Sequence, residues 1–182
     1  MRIISGEYGG RKINPPAKMP YTRPTTDIAK EGLFNILQNN LAFEELKTLD
    51  LFGGTGSISY ELASRGVKDL TVVEMDTAMY EFIKKTFTTL GAENFEIVRM
   101  DVFKFIQQCM DTFDFIFAGP PYALETIDKL PEIIVEKKLL KANGWFVLEH
   151  TPRNDYSKFP LFKTQRKYGT TIFSIFINNK EP

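Results

Sequence analysis

The stretch LDLFGGTGSISYELASRG, residues 49–66, decides the fold. TLDLF (48–52) reads as a short buried strand, and SISYELASRG (57–66) as a helix closed by Gly66. Between them lie Gly53, Gly54, Thr55 and Gly56. A strand that runs through glycines into a helix lets a ligand approach the backbone at the C-terminal edge of a sheet. It is not a Walker loop, because no Gly-Lys-Ser/Thr follows. As a dinucleotide fingerprint it is poor, since Ser59 stands where the third glycine belongs. Asp50 ends the strand, where its carboxylate can meet an ammonium group directly or through water.

Outward from this unit the chain alternates. DLTVVEM (69–75) is a strand and AMYEFIKKTFTTLG (78–91) a helix with Gly91 as its stop signal. FEIVRM (95–100), VFKFIQQCM (102–110) and FDFIFA (113–118) read as strand, helix, strand. A helix around 124–138 and the strand GWFVLE (144–149) follow. The strands LFKTQRKYG (161–169) and TTIFSIFIN (170–178) join near Gly169. Upstream, DIAKEGLFNILQNNL carries apolar residues at helical spacing, with Thr26 or Asp27 as N-cap. Residues 2–24, rich in Gly and Pro, read as a hairpin and an extended arm. Alternation of strand and helix predicts a doubly wound α/β domain with a mostly parallel sheet. The tight join at Tyr168-Gly169 demands an antiparallel finish. The expected organisation is a hairpin and arm over 1–24 and one catalytic-type domain over 25–182.

With 182 residues, 43% hydrophobic and 25% charged, the chain has the composition of one ordered domain. No apolar run reaches the ~18 residues of a membrane span, and the N-terminus lacks a signal-peptide core. The single cysteine, Cys109, excludes an internal disulfide and a Cys-rich metal site. It is expected as a buried structural thiol in a cytoplasmic protein. The net charge is zero but unevenly spread. Residues 1–24 carry five basic and one acidic residue, and residues 152–182 six and two. The body between carries twelve and twenty. Basic ends on an acidic body point to a localised anionic partner such as a phosphate backbone, if the ends share a face; the plain alternative is solvated surface.

Other strand ends repeat the pattern of the first. Glu74, with Met75 and Asp76 beside it, lies about twenty residues after the glycine loop, where a carboxylate accepts from ribose hydroxyls. Glu74 is preferred to Asp76 because it stands at the strand terminus. Asp101 and Val102 follow the third strand; the carboxylate can accept from an adenine amine, the Val102 N–H can donate to a ring nitrogen, and Asp101 can equally cap the next helix. The fourth strand ends in Gly119-Pro120-Pro121-Tyr122. Each proline fixes its own φ and extends the residue before it, so the loop carbonyls are rigid acceptors. Tyr122 offers a face on which a base can stack. His150, the only histidine, has no second histidine for a metal site and reads as structural or at a pocket edge.

Asp50-Leu51-Phe52-Gly53-Gly54-Thr55-Gly56, Glu74, Asp101 and Pro120-Pro121-Tyr122 together resemble the class I S-adenosylmethionine-dependent methyltransferases of exocyclic amines. MRIISGEYGGRKI (1–13), RPTTDIAKEGLFNIL (23–37) and RKYGTTIFSIF (166–176) narrow the resemblance to the RsmD-type 16S ribosomal RNA guanine-N2 methyltransferases. The resemblance implies a seven-stranded Rossmann-like sheet with S-adenosylmethionine over the loop formed by Phe52, Gly53, Gly54, Thr55 and Gly56. Asp50, Glu74, Met75, Asp101 and Val102 would hold that cofactor, with Arg23, Thr25 and Thr26 near its carboxylate. Arg2, Arg11 and Lys12 would contact 16S ribosomal RNA, within a 30S subunit or an assembly intermediate. A monomer is expected. Gly119, Pro120, Pro121 and Tyr122 would form the catalytic loop, with the target guanine out of its stack beside Tyr122.

In that family's pattern an Asp or Asn precedes the prolines, and here it is Gly119. Losing one preorganised acceptor costs about 10²–10³ in rate. Three readings stand: a variant of an active enzyme, another carboxylate (Glu125 or Glu149) in its place, or an RNA-binding assembly factor without turnover. The first predicts that Gly119→Asp raises turnover at least about tenfold. An adenine-N6 methyltransferase shares the loop but not the N-terminal motifs, and a nicotinamide oxidoreductase lacks its third glycine.

Overall fold

The computed structural model describes residues 1–18 and 25–179. The elements run α1 (Asp27–Asn40), a 3₁₀ turn (Phe43–Glu45), β1 (Lys47–Leu51), α2 (Ser57–Ser64), β2 (Asp69–Val73) and α3 (Thr77–Leu90). Then come β3 (Phe95–Val98), α4 (Val102–Gln108), β4 (Phe113–Ala118), α5 (Lys129–Glu136), β5 (Leu140–His150), β6 (Phe162–Tyr168) and β7 (Thr171–Ile177). The seven strands are ordered β3-β2-β1-β4-β5-β7-β6. All pairs from β3 to β5 are parallel, while β7 lies antiparallel between β5 and β6. The strand order reverses between β1 and β4, and in such sheets the crevice outside the strand ends at this point takes the ligand.

Strand alternation sends side chains to two apolar layers. Phe115 and Phe117 of β4 join α1, α2 and α3 on one face. Ile116 and Ala118 face α4 and α5 on the other. Both faces of β4 are therefore dry, as a central parallel strand requires.

The N-terminal hairpin is a single antiparallel bridge, Arg2 to Lys12, rather than a strand pair. Ile3, Tyr8 and Ile13 are buried in the same layer as α1 and α2. Glu61 of α2, 0% exposed, staples the hairpin: its oxygens accept from the Ile4 and Ser5 N–H groups at 2.8 and 3.1 Å. Lys30, 1% exposed, stands 3.6 Å from Glu61 and donates to the Arg2 carbonyl and Ser57 Oγ. Burial lowers the Lys30 pKa, and Glu61 opposes the shift.

Three expectations need correction. The helix expected around 124–138 is confined to Lys129–Glu136, preceded by successive turns from Pro121 to Leu130. Pro131 has no N–H to bond the Ile127 carbonyl, so the α-ladder cannot extend backward through it. The strand expected at 144–149 starts earlier, at Leu140, with a bulge over the next residues. Asn143 takes φ 60° there, an irregularity that alternation does not reveal. Cys109 is half-exposed at the end of α4 rather than buried, and partial burial raises its pKa. Among the described residues no helix is long and apolar enough to cross a membrane.

Candidate active site

A cavity of about 1000 Å³ opens at the switch point, between the ends of β1, β2 and β4. Its walls include Thr25, Asp50, Phe52, Gly53, Gly54, Thr55, Glu74, Met75, Asp101, Val102 and the loop from Gly119 to Tyr122. Two further expected residues are not among the lining residues. Thr26 caps α1 by accepting from the Ala29 N–H, and Gly56 opens α2. Arg23 lies outside the described residues. Arg2, Arg11 and Lys12 are exposed on the hairpin and are not among the lining residues. Met1 of that hairpin nevertheless reaches the glycine loop, its sulfur accepting from Thr55 Oγ1 at 3.5 Å.

The glycine loop is shaped by its neighbours. Gly56 has φ 79°, and a Cβ there would run into the Tyr60 ring. A Cβ on Gly53 would come within 2.7 Å of Val72. Phe52 enters the loop at φ 65°, a conformation disfavoured for a bulky residue and of the kind that clusters at ligand sites.

Each acidic residue has a distinct environment. Asp50 is 1% exposed, and Ser59 Oγ donates to its Oδ2. Among the described residues its Oδ1 has no hydrogen-bond partner. Burial, helped by the nearby Glu74 and Glu149 charges, pushes the Asp50 pKa up to about 7. Glu74 accepts from Gly54 N at 2.7 Å and Asp76 N at 2.8 Å. Burial raises its pKa and these backbone bonds hold the rise back. Asp76 caps α3 through the Met79 N–H, and Asp101 caps α4 through the Lys104 N–H. Val102 is the first residue of α4, so its own N–H has no intrahelical acceptor.

The sequence left several wall residues unmarked, among them Ser57, Ile58, Thr77, Phe103, Phe117 and Leu124. Most are apolar or small and carry no chemical signature. Of the two substitute carboxylates, Glu125 is exposed and is not among the cavity's lining residues, whereas Glu149 lines the cavity and is 4% exposed. Tyr122 OH donates to Glu149 Oε1 at 2.8 Å, and Thr25 Oγ1 to Oε2 at 2.6 Å. His150 is fully buried, bonded to Ser174 Oγ and the Thr151 carbonyl and edge-on to Tyr156. Burial lowers its pKa, which fits the structural reading. Among the described residues no group of three His, Cys, Asp or Glu is placed to hold a metal.

A seven-stranded sheet of this order, with a glycine loop and a Pro-Pro loop facing one crevice at the switch point, defines a Rossmann-like methyltransferase fold. Comparison with known proteins narrows the class. The family described as Conserved hypothetical protein 95 matches residues 1–177. Ribosomal RNA small subunit methyltransferase D of Escherichia coli K12 is 33% identical over 149 residues, 82% of this chain and 71% of that protein. The protein of the same name from Haemophilus influenzae is 32% identical over 82% of this chain and 78% of its own length. The solved structure of Escherichia coli yhhF superposes with a TM-score of 0.84 at 25% identity, covering 100% of this chain and 99% of that one. An RNA methyltransferase from Salinibacter ruber, solved with S-adenosyl-L-homocysteine, shares the fold at 15% identity, with a TM-score of 0.69 over 88% of this chain and 96% of that chain. The chain belongs to the family of the ribosomal RNA small subunit methyltransferase D (RsmD) proteins.

Proposed function

We propose that this protein transfers a methyl group from S-adenosyl-L-methionine to the N2 amine of a guanine in 16S ribosomal RNA, at the position corresponding to guanine 966. The observation that carries the reading is the meeting, across one cavity, of a glycine-and-carboxylate wall with a rigid Pro-Pro-Tyr loop. The names of the relatives and the S-adenosylhomocysteine held by a neighbour of the same fold support it.

The residues present fit the cofactor. On the cavity wall Asp50 Oδ1 is a buried acceptor without a partner among the described residues, the environment an ammonium group would complete. Glu74 is fixed by two backbone bonds, one to each oxygen, and so presents its remaining lone pairs to ribose hydroxyls. Asp101 and the Val102 N–H, both on the cavity wall, would read the adenine edge. When bound, S-adenosylmethionine supplies an electrophilic methyl group on a sulfonium. The carbonyls of the loop accept from the target amine, and Tyr122 stacks on the base. The basic N-terminal unit expected as a hairpin and arm over residues 1–24 contacts ribosomal RNA phosphates through Arg2, Arg11 and Lys12, while residues 25–182 carry the chemistry.

The test is incorporation of labelled methyl into 30S subunits from cells lacking this modification, with the product nucleoside identified after digestion. N2-methylguanosine at a single position is the expected product. N6-methyladenosine, or cofactor binding without incorporation, would overturn the reading.

A further inference from the structure

Gly119 leaves the head of the Pro-Pro loop without a side chain. Its φ is not in the left-handed region, so the backbone does not require glycine there. The space beside it is already occupied. A Cβ on Gly119 would lie 3.0 Å from Phe117 Cε1 and 3.8 Å from Glu149 Oε2. Glu149 arrives from the neighbouring strand: Ala118 pairs with Leu148, so the next residue on each strand is Gly119 and Glu149. A carboxylate therefore already stands against the point from which a side chain at 119 would reach into the cavity.

The carboxylate is also held. Thr25, just before α1, fixes Oε2, and Tyr122, at the far end of the loop, fixes Oε1. Phe117, beneath it, packs on Phe173 of β7 at 6.3 Å between ring centres. A fixed anionic acceptor needs no reorganisation as charge develops, and its bonds are about twice as strong as neutral ones. The other four wall carboxylates are engaged elsewhere: Asp50 by Ser59 of α2, Glu74 by the Gly54 amide of the glycine loop, and Asp76 and Asp101 as the caps of α3 and α4.

We propose that Glu149 is a catalytic residue, the anionic acceptor for the amine that is methylated. The proposal rests on the amine-methylation reading above and names the group that performs it. The N2 lone pair forms the N–C bond while the methyl–sulfur electron pair returns to sulfur. N2 then carries positive charge, and one of its two protons passes to the Glu149 carboxylate, which returns it to water. A loop carbonyl can hold the second N–H but cannot take up a proton. The expectation that Gly119→Asp alone raises turnover changes accordingly. In the native chain a second carboxylate would crowd Glu149 and press on Phe117.

The experiment compares the native protein, Glu149→Gln, Gly119→Asp and the double variant. It measures methyl transfer to undermethylated 30S subunits, S-adenosylhomocysteine affinity by calorimetry, and binding of a 16S helix fragment with guanine or inosine at the target. Inosine lacks the N2 amine. Glu149→Gln is expected to lower kcat by about 10²–10³ with cofactor affinity within about twofold. In its S-adenosylhomocysteine complex the native protein should prefer the guanine fragment by about fivefold or more, and Glu149→Gln, which keeps only neutral acceptors at the amine, should reduce that preference. Gly119→Asp should give no gain in the native background and at least about tenfold recovery in the Glu149→Gln background. Undiminished turnover in Glu149→Gln, with the native protein active, overturns the role of Glu149 alone. So does loss of cofactor binding in that variant without recovery by Gly119→Asp, because it assigns Glu149 to holding the cavity's shape. If the native protein methylates no guanine, the parent reading fails and the inference falls with it.

Discussion

Ser59 donates to one oxygen of Asp50 and leaves the other, buried in the cavity wall, without a partner among the described residues. The carboxylate has a pKa near 7 because burial disfavours its charged form. An ammonium ligand prefers the ionised form, so S-adenosylhomocysteine affinity is expected to rise as pH goes from 6 to 8. Asp50→Asn should weaken binding by about 10- to 100-fold and flatten the pH profile. Calorimetry at three pH values checks this, and a flat native profile would remove Asp50 from ammonium binding.

The same residue sets a stability prediction of opposite sense. In the unfolded chain the Asp50 carboxyl ionises at the ordinary carboxylate value of 3.8, and in the fold at about 7. Between those values the native state binds more protons, so this group's contribution to stability falls as pH rises. Asp50→Asn, which can still accept from Ser59, should raise the melting temperature at pH 8 and leave it nearly unchanged at pH 4. For a chain of this size each 1 kcal/mol is worth about 2–4 °C. An equal effect at both pH values would show that ionisation is not the cause.

Glu61 holds the hairpin's Ile4 and Ser5 amides and faces the buried Lys30. Glu61→Gln leaves that cation without its counter-charge, and breaking such a pair costs about 3–5 kcal/mol. Urea unfolding should report a loss of this order. A loss below about 1 kcal/mol would mean that the apolar contacts of Ile3 and Tyr8 hold the hairpin by themselves.

Two glycines separate conformational strain from steric exclusion. Gly91 has φ 70° with nothing within 4 Å of an added Cβ, whereas Gly56 has φ 79° and the Tyr60 ring in the way. Gly91→Ala is expected to cost about 1–2 kcal/mol and to leave cofactor affinity alone. Gly56→Ala should cost more and weaken S-adenosylhomocysteine binding. Equal losses in melting temperature would show that the Tyr60 ring moves aside freely.

Neutralising Arg11 and Lys12 together should weaken RNA binding and reduce the slope of log affinity against log salt by about 1–2, with cofactor affinity unchanged. An unaltered slope would move the RNA face elsewhere, with Lys163, Arg166 and Lys167 on exposed β6 positions as the next cations to test.

What could be read from the sequence follows a physical division. The strand and helix alternation, the antiparallel finish, the caps at Thr26 and Asp101 and the stop at Gly91 are local, and the chain states them in contiguous residues. The glycine loop and the Pro-Pro-Tyr loop carry their own backbone chemistry, so they too stood out. The burial of Asp50, the Glu61 staple and the grip of Thr25 on Glu149 are not local; the last joins residues 124 apart. In the sequence Glu149 is only one of two candidate carboxylates, because nothing in GWFVLE says which side chain returns to the cavity. The limits of α5 and β5 were missed where Pro131 removes a donor and Asn143 breaks the pleat.

The position of β7 has a consequence for synthesis. β5, the strand that bears Glu149, pairs with β4 on one side and with β7 on the other. A chain emerging N-terminus first makes β5 before β7, so that flank is an open, largely apolar edge until residues 171–177 appear. Unpaired edges of this kind recruit other strands. A nascent chain paused before Thr171 would thus expose an association-prone edge at the same strand that completes the cavity, and the two are closed by one event.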